Sequence, residues 1–230
     1  MLSVSDIEVE WLPFLESFPV WTPARRPLIV ISPHPDDEVL GVGGLIASHV
    51  QKKLPVVIVA VTDGEAAYPD VPNLAAIRQR EQQAAVSYLG LGNEDLIRLR
   101  LPDAGVAGKQ ELLVTRIAAL ASYDSYVVAP WSKDPHPDHE ACGRAAETAA
   151  ALTGATLVSY FFWTWHRLHP NSLSALNLRR FELSCEIQAK KAAALSEYRS
   201  QMEHEHGEPI LPPRLLGPAL RSFECVAVHE

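Results

Sequence analysis

The sequence predicts an α/β fold: a Rossmann-like layered sheet, mostly parallel, with helices on both faces. Three observations lead there. Short apolar runs rich in Val and Ile recur along the chain, as strands buried on both faces require. Longer stretches between them carry apolar residues at helical spacing. The two kinds alternate in β-α-β-α order, which calls for parallel strands joined by right-handed crossovers.

Residues 28–32 form the first expected strand. Residues 38–51 follow as a helix, with Val39, Val42, Leu45, Ile46 and Val50 at helical spacing. A Val-rich run at 55–61 is the second strand, and 73–89 a long helix. Then come a short strand at 96–99, a helix at 110–121, a strand at 125–129, an alanine-rich helix at 139–151 and a strand at 155–160. The pattern then loosens. Residues 161–166 prolong a strand or form a wall. Residues 183–200 read as one helix, 207–218 as a loop and 222–229 as a final strand. His204 and His206 flank Glu205 in a polar stretch that reads as a solvated loop. Residues 1–26 carry Trp11, Phe14, Phe18 and Trp21 among three prolines. So much apolar surface is not left in water, so this extension is expected to pack on the body or on another subunit. The whole chain, 1–230, is expected to be one domain, with 161–230 its less regular part.

Composition narrows the function. At 230 residues and 47% hydrophobic, the chain can bury a full core. A net charge of −8 argues against a large basic surface for nucleic acid. No segment has the pattern of a signal peptide or the length of a membrane span, so a cytoplasmic protein without a membrane partner is expected. Cys142, Cys185 and Cys225 form no CxxC pair and imply no disulfide framework. Gly41, Gly43 and Gly44 lie inside the first expected helix and do not make GxGxxG, which disfavours a dinucleotide-dependent oxidoreductase. They are expected to allow close helix–sheet packing.

Two motifs carry the chemistry. His34-Pro35-Asp36-Asp37-Glu38 follows the first strand, and His136-Pro137-Asp138-His139 follows the strand at 125–129. Both fall at the sheet edge where open α/β folds bind ligands. Histidines and carboxylates converging there suggest a hydrolytic metal site with an acid and a base beside it. A strand-to-helix turn can aim Asp36 and Asp37 at separate tasks, one on a metal and one on the attacking water. His136 and His139 share one side of an incipient helix that Pro137 is suited to start, so one can ligate and the other face substrate. Helix capping by Asp36, Asp37 and Asp138 accounts for either motif alone, but not for their pairing. Three protein ligands and an open position fit catalytic Zn2+. Two His and one Asp also fit Fe2+.

With these residues the chain resembles the LmbE-like, or N-acetylglucosaminyl-phosphatidylinositol de-N-acetylase (PIG-L), family. Its hallmarks are a strand ending in (P/A)HPDDE and a later HPDH on a Rossmann-like sheet; here they are residues 33–38 and 136–139. The resemblance implies a zinc-dependent hydrolase that removes acyl groups, usually acetyl, from N-acylated amino sugars. It implies His34, Asp37 and His139 as metal ligands, Asp36 as general base, and His136 as the group that stabilises the oxyanion or protonates the leaving amine. Three weaker likenesses concern substrate: the turn Thr62-Asp63-Gly64-Glu65, a helix start containing Arg78, and the loop Leu101-Pro102-Asp103. They make Asp63, Arg78 and Asp103 candidate substrate contacts. The stretch 131–135 contains no tyrosine, so an oxyanion-assisting Tyr of some members has no counterpart. Trp163, Trp165 and His166 read first as packing residues, with a sugar-stacking wall as the alternative.

The expected function is thus a zinc-dependent de-N-acetylase acting on an N-acetylglucosamine-type amino sugar or its conjugate, a small-molecule substrate. A homo-oligomer is compatible with this. One alternative is an amidase cleaving a thiol–sugar conjugate or another acyl amide. An alternative of another class is a non-catalytic metal- or anion-binding module.

Overall fold

The computed structural model describes residues 4–68, 70–203 and 207–229. The loop reading at His204, Glu205 and His206 lies outside them. Apolar runs become β1 (Leu28–Ser32), β2 (Val56–Ala60), β3 (Leu96–Arg98), β4 (Tyr126–Pro130) and β5 (Thr156–Tyr160). Two later strands are β6 (Leu178–Glu182) and β7 (Phe223–His229). All seven form one sheet in the order β3-β2-β1-β4-β5-β7-β6. The pairs among β1 to β5 are parallel, and β7 runs antiparallel to both β5 and β6. From β1 the chain winds outward through β2 and β3, then returns to add β4 on the other side. The switch point therefore lies between β1 and β4, and both motifs leave the sheet there.

The helices are α1 (Val4–Leu15), α2 (Asp37–Gln51), α3 (Leu74–Tyr88), α4 (Gln110–Ala118), α5 (Pro137–Thr153), α6 (Trp163–Arg167), α7 (Cys185–Leu195) and α8 (Arg199–Met202). Strand alternation sorts them into two layers. Leu28 and Val30 of β1 face a core shared with α2, α3 and α7, while Ile29 and Ile31 face α4 and α5. On β7, Val226 and Val228 join the first core, whereas Cys225 and Ala227 pack against α1 and Trp165. Among the described residues, no helix is long and apolar enough to cross a membrane.

Helix α2 is broken at Val42, whose φ of −142° and ψ of 24° are not helical. A break strands backbone groups inside the core. The Glu224 carboxylate of β7 accepts from the N–H groups of Gly44 (2.7 Å) and Leu45 (2.8 Å). Lys191 Nζ of α7 donates to Leu40 O (3.2 Å) and to Glu224 Oε1 (2.7 Å). One buried ion pair thus satisfies both sides of the break. The glycines here do allow close packing: a Cβ on Gly41 would lie 2.3 Å from the Tyr160 ring, and one on Gly44 2.4 Å from Leu183.

Several expectations need correction. Of the two readings of residues 161–166, the prolonged strand does not hold, since Trp163 begins the short helix α6, while Phe162 and Trp163 do wall a cavity. The expected helix at 183–200 is two helices, interrupted before Tyr198, whose φ of −80° and ψ of 54° turn the chain. The stretch 207–218 includes short 3₁₀ turns at Pro213–Leu215 and Gly217–Leu220. Strand β6 has no period-two signal, since Arg179 and Arg180 sit side by side between Leu178 and Phe181. The N-terminal extension, by contrast, packs on the body as expected, and it is helical in α1 despite Pro13. Trp11 is 1% exposed, its ring 4.9 Å from that of Trp165, and its Nε1 donates to Trp165 O at 3.0 Å.

Candidate active site

The first motif is built by a strained turn. Thr62 at the end of β2 holds Pro33 O through its N–H (3.0 Å) and hydroxyl (2.8 Å). Asp36 then adopts φ 134°, a conformation that L-residues rarely take. Its carbonyl accepts from Val39 and Leu40 N–H, both at 2.9 Å, which starts α2. Such strain persists only where the surroundings over-determine it. Here Glu38 is fully buried, with Ser32 Oγ and Tyr198 OH each donating to it at 2.5 Å, and Gln201 Nε2 donates to Pro35 O. The interruption before Tyr198 thus serves the turn by bringing its phenol to Glu38.

The second motif starts α5. His136 is its N-cap, with extended backbone, and Pro137 takes the first turn. His136 Nδ1 accepts from Asp138 N–H (3.3 Å), so a neutral His136 carries its proton on Nε2. Burial, then the nearby His139 and His34, lower its pKa to about 4. Asp138 accepts from Ala104 N–H (2.8 Å) and Val106 N–H (3.1 Å), fixing the turn that carries Asp103.

His139 is fully buried, and its Nδ1 lies 2.7 Å from Asp134 Oδ2. Asp134 also accepts from Thr164 N–H (2.7 Å), Thr164 Oγ1 (2.6 Å) and Trp163 N–H (3.2 Å). A carboxylate so placed holds a proton on Nδ1 and turns Nε2 toward the site. Burial works against a charged ring, but Asp37 and Asp134 outweigh it and raise the His139 pKa to about 9, so a cation would displace a proton from Nε2. That Nε2 is buried without a hydrogen-bond partner, 3.2 Å from Asp37 Oδ2. The same oxygen lies 3.2 Å from His34 Nδ1 and accepts from His34 N–H at 3.0 Å. His34 Nε2 lies 3.3 Å from Asp103 Oδ1 and 3.4 Å from Asp138 Oδ2. Burial would raise the Asp37 pKa, but the two histidines outweigh it and hold this carboxylate ionised far below its usual range. Asp36 goes the other way: burial, then the Asp37 charge, push it well above the usual carboxylate range.

The ring nitrogens of His34, His136 and His139 lie within 4.8 Å of one another. With Asp37 Oδ2 between two of these rings, and His139 Nε2 otherwise unpartnered, the donor set fits a divalent cation. A second group, His34 with Asp103 and Asp138, shares His34.

His34, Asp36, Asp37, Arg78, Asp103, His136 and His139 all line one cavity of about 230 Å³. Arg78 is 2% exposed; its Nη1 donates to Gly64 O at 2.8 Å, while Nε and Nη2 are buried without hydrogen-bond partners. Asp63 is not among the lining residues. It accepts from Gln79 Nε2 at 2.8 Å and faces Arg98, which ties β2 to α3 and β3. Trp163 does line the cavity, its ring nearly parallel to that of His136, whereas Trp165 is core. Sequence reasoning missed Asp134, Glu38 and Tyr198 as supports of the site. Asp134 sits two residues before the second motif, but only its contacts distinguish it from a turn aspartate.

Comparison with known proteins places this geometry among relatives. Residues 29–150, more than half of the chain, match the family described as GlcNAc-PI de-N-acetylase, PIG-L. The chain is 27% identical over 143 residues to a Bacillus anthracis protein described as a probable N-acetyl-alpha-D-glucosaminyl L-malate deacetylase 2. That match covers 55% of this chain and spans 60% of the relative's length. The conserved protein TT1542 from Thermus thermophilus is 30% identical, with a TM-score of 0.61 over 76% of this chain and 80% of that one. The N,N'-diacetylchitobiose deacetylase from Pyrococcus horikoshii shares the fold, with a TM-score of 0.65 at 22% identity, covering 86% of this chain and 80% of that one.

Proposed function

The chain belongs to the GlcNAc-PI de-N-acetylase (PIG-L) family, and from that premise we propose that it is a zinc-dependent hydrolase. It removes an acetyl or related acyl group from an N-acetylglucosamine-type amino sugar or its conjugate. The observation that carries this reading is the buried Nε2 of His139, which has no hydrogen-bond partner. Asp134 fixes its ring, it faces Asp37, and Asp36 lines the same cavity.

His34, Asp37 and His139 would hold the cation, with Fe2+ an alternative to Zn2+. When bound, a divalent cation supplies Lewis acidity, which acidifies water and polarises an amide carbonyl. Asp36 accepts the proton of the attacking water, and its raised pKa makes it a better acceptor than an ordinary carboxylate. His136, neutral and with its proton on Nε2, donates toward the oxygen that gains charge. Asp36, alone or with His136, returns a proton to the departing amine, and acetate leaves with the free amino sugar. Arg78 and Asp103 supply polar contacts for sugar hydroxyls. The continuous sheet with helices on both faces supports treating residues 1–230 as one domain, which we place in the cytoplasm.

Metal analysis and acetate release test this together. The purified protein should hold one divalent ion per chain and release acetate from N-acetylglucosamine derivatives. His34→Ala, Asp37→Ala and His139→Ala should each lose the ion. Full occupancy in all three variants would remove the ligand assignment, and no acetate release by metal-loaded protein would remove the reaction.

A further inference from the structure

Beside the site lies a second and larger cavity, of about 430 Å³. Trp163 and Ile210 line both, so the two spaces share a wall. The remaining lining comes from α1, from α6 and the residues after it, and from the segment 208–215. All of these lie outside residues 29–150, which match the family. The cavity is therefore built by parts of the chain other than those that carry the reaction.

Its lining, like that of the site, is more apolar than polar, but it lacks the site's cluster of His and Asp side chains. Ile7, Trp11, Trp165, Leu168, Pro212 and Leu215 provide a largely apolar, flat-sided lining. Of the polar lining, Arg214 and Arg167 are engaged, Glu10 is exposed, and the His166 ring has both nitrogens buried with no hydrogen-bond partner. Arg214 pairs with Glu208, and the Arg167 guanidinium lies over the Trp163 ring at 3.9 Å while also donating to Pro135 O. Ligand cavities of this size and character hold ring-sized apolar groups, with a few polar groups to orient them. The reacting cavity, about 230 Å³, combines His, Asp and Arg with Phe162, Trp163, Ile210 and Leu211, which suits a sugar ring that presents hydroxyls and a C–H face.

Resting on the deacetylase reading above, we propose that this second cavity binds the aglycone of the substrate. The preferred substrate is then an N-acylated amino sugar bearing an apolar, ring-containing aglycone. The sugar sits beside His136 and Asp103, and the aglycone passes Trp163 and Ile210 to lie against Trp11 and Trp165. An aglycone held by the same contacts in the ground and transition states lowers KM and leaves kcat unchanged.

The test uses zinc-loaded protein and three substrates: N-acetylglucosamine, its methyl glycoside and its phenyl glycoside. KM for the phenyl glycoside should be about tenfold below that of the methyl glycoside, or lower still, as even one methylene in an apolar pocket is worth roughly that much. Leu168→Trp, which fills the cavity, should raise KM for the phenyl glycoside far more than for the methyl glycoside. Equal KM values across the three substrates in the parent protein would overturn the aglycone site and leave the deacetylase reading standing. Acetate release from none of them would overturn both. The parent series decides the question even if Leu168→Trp does not fold.

Discussion

Asp36→Asn should lower turnover by about a hundred- to ten-thousand-fold, the usual contribution of a general base. The substitution isolates that role. Asparagine nearly matches aspartate in shape and branches identically, so the strain of the φ of 134° at position 36 is much the same in both. The backbone carbonyl of residue 36, which accepts from Val39 and Leu40, is unaffected. The proposed metal ligands His34, Asp37 and His139 also remain. Metal content and the far-ultraviolet circular dichroism spectrum should therefore match the parent while acetate release collapses. A near-normal rate in a fully folded, metal-replete variant would assign the proton acceptor elsewhere.

The largest effect on stability should come from Glu224→Ala, with a loss of about 3–5 kcal/mol, as expected when one partner of a buried ion pair is removed. The N–H groups of Gly44 and Leu45 lose their acceptor and Lys191 Nζ loses its counter-charge, keeping only Leu40 O. The Lys191 side chain is only 4% exposed, so water cannot easily replace the carboxylate. For a chain of this size the melting temperature should fall by roughly 6–20 °C. Denaturant titration of the parent and variant gives the free energy directly. A loss below about 1 kcal/mol, typical of an exposed pair, would mean that the break in α2 is satisfied without Glu224.

Of the five parallel strands, β1, β2, β4 and β5 were legible because they are largely buried and largely apolar, whereas β3, half-buried at the sheet edge, was marked by little more than Leu96 and Ile97. The site was legible because its two motifs sit at the ends of β1 and β4, the neighbouring strands of the switch point. What escaped were features set by long-range contacts. Strand β6 exists because β7 offers it a hydrogen-bonding partner, not because Leu178–Glu182 alternates. The helix expected at 183–200 stops early because Tyr198 serves Glu38 from across the fold. Asp134 orients His139, yet in sequence it looks like any aspartate ahead of a proline. Asp63, plausible from its place at a strand end, is engaged by Gln79 and faces Arg98.

The segment between α1 and β1 has a further bearing. Trp21 N–H donates to Arg180 O at 2.7 Å, Arg180 N–H donates to Pro19 O at 3.0 Å, and Val20 forms a parallel bridge with Arg180. Strand β6 ends the sheet order on that side, so these contacts occupy backbone groups that would otherwise face solvent. An uncovered edge of this kind is a template on which other chains can add strands. At the opposite end, β3 is only three residues long, too short to recruit much. The leading segment therefore covers this edge at Arg180, and a shortened chain that begins at β1 should self-assemble more readily, as light scattering of the two chains would show.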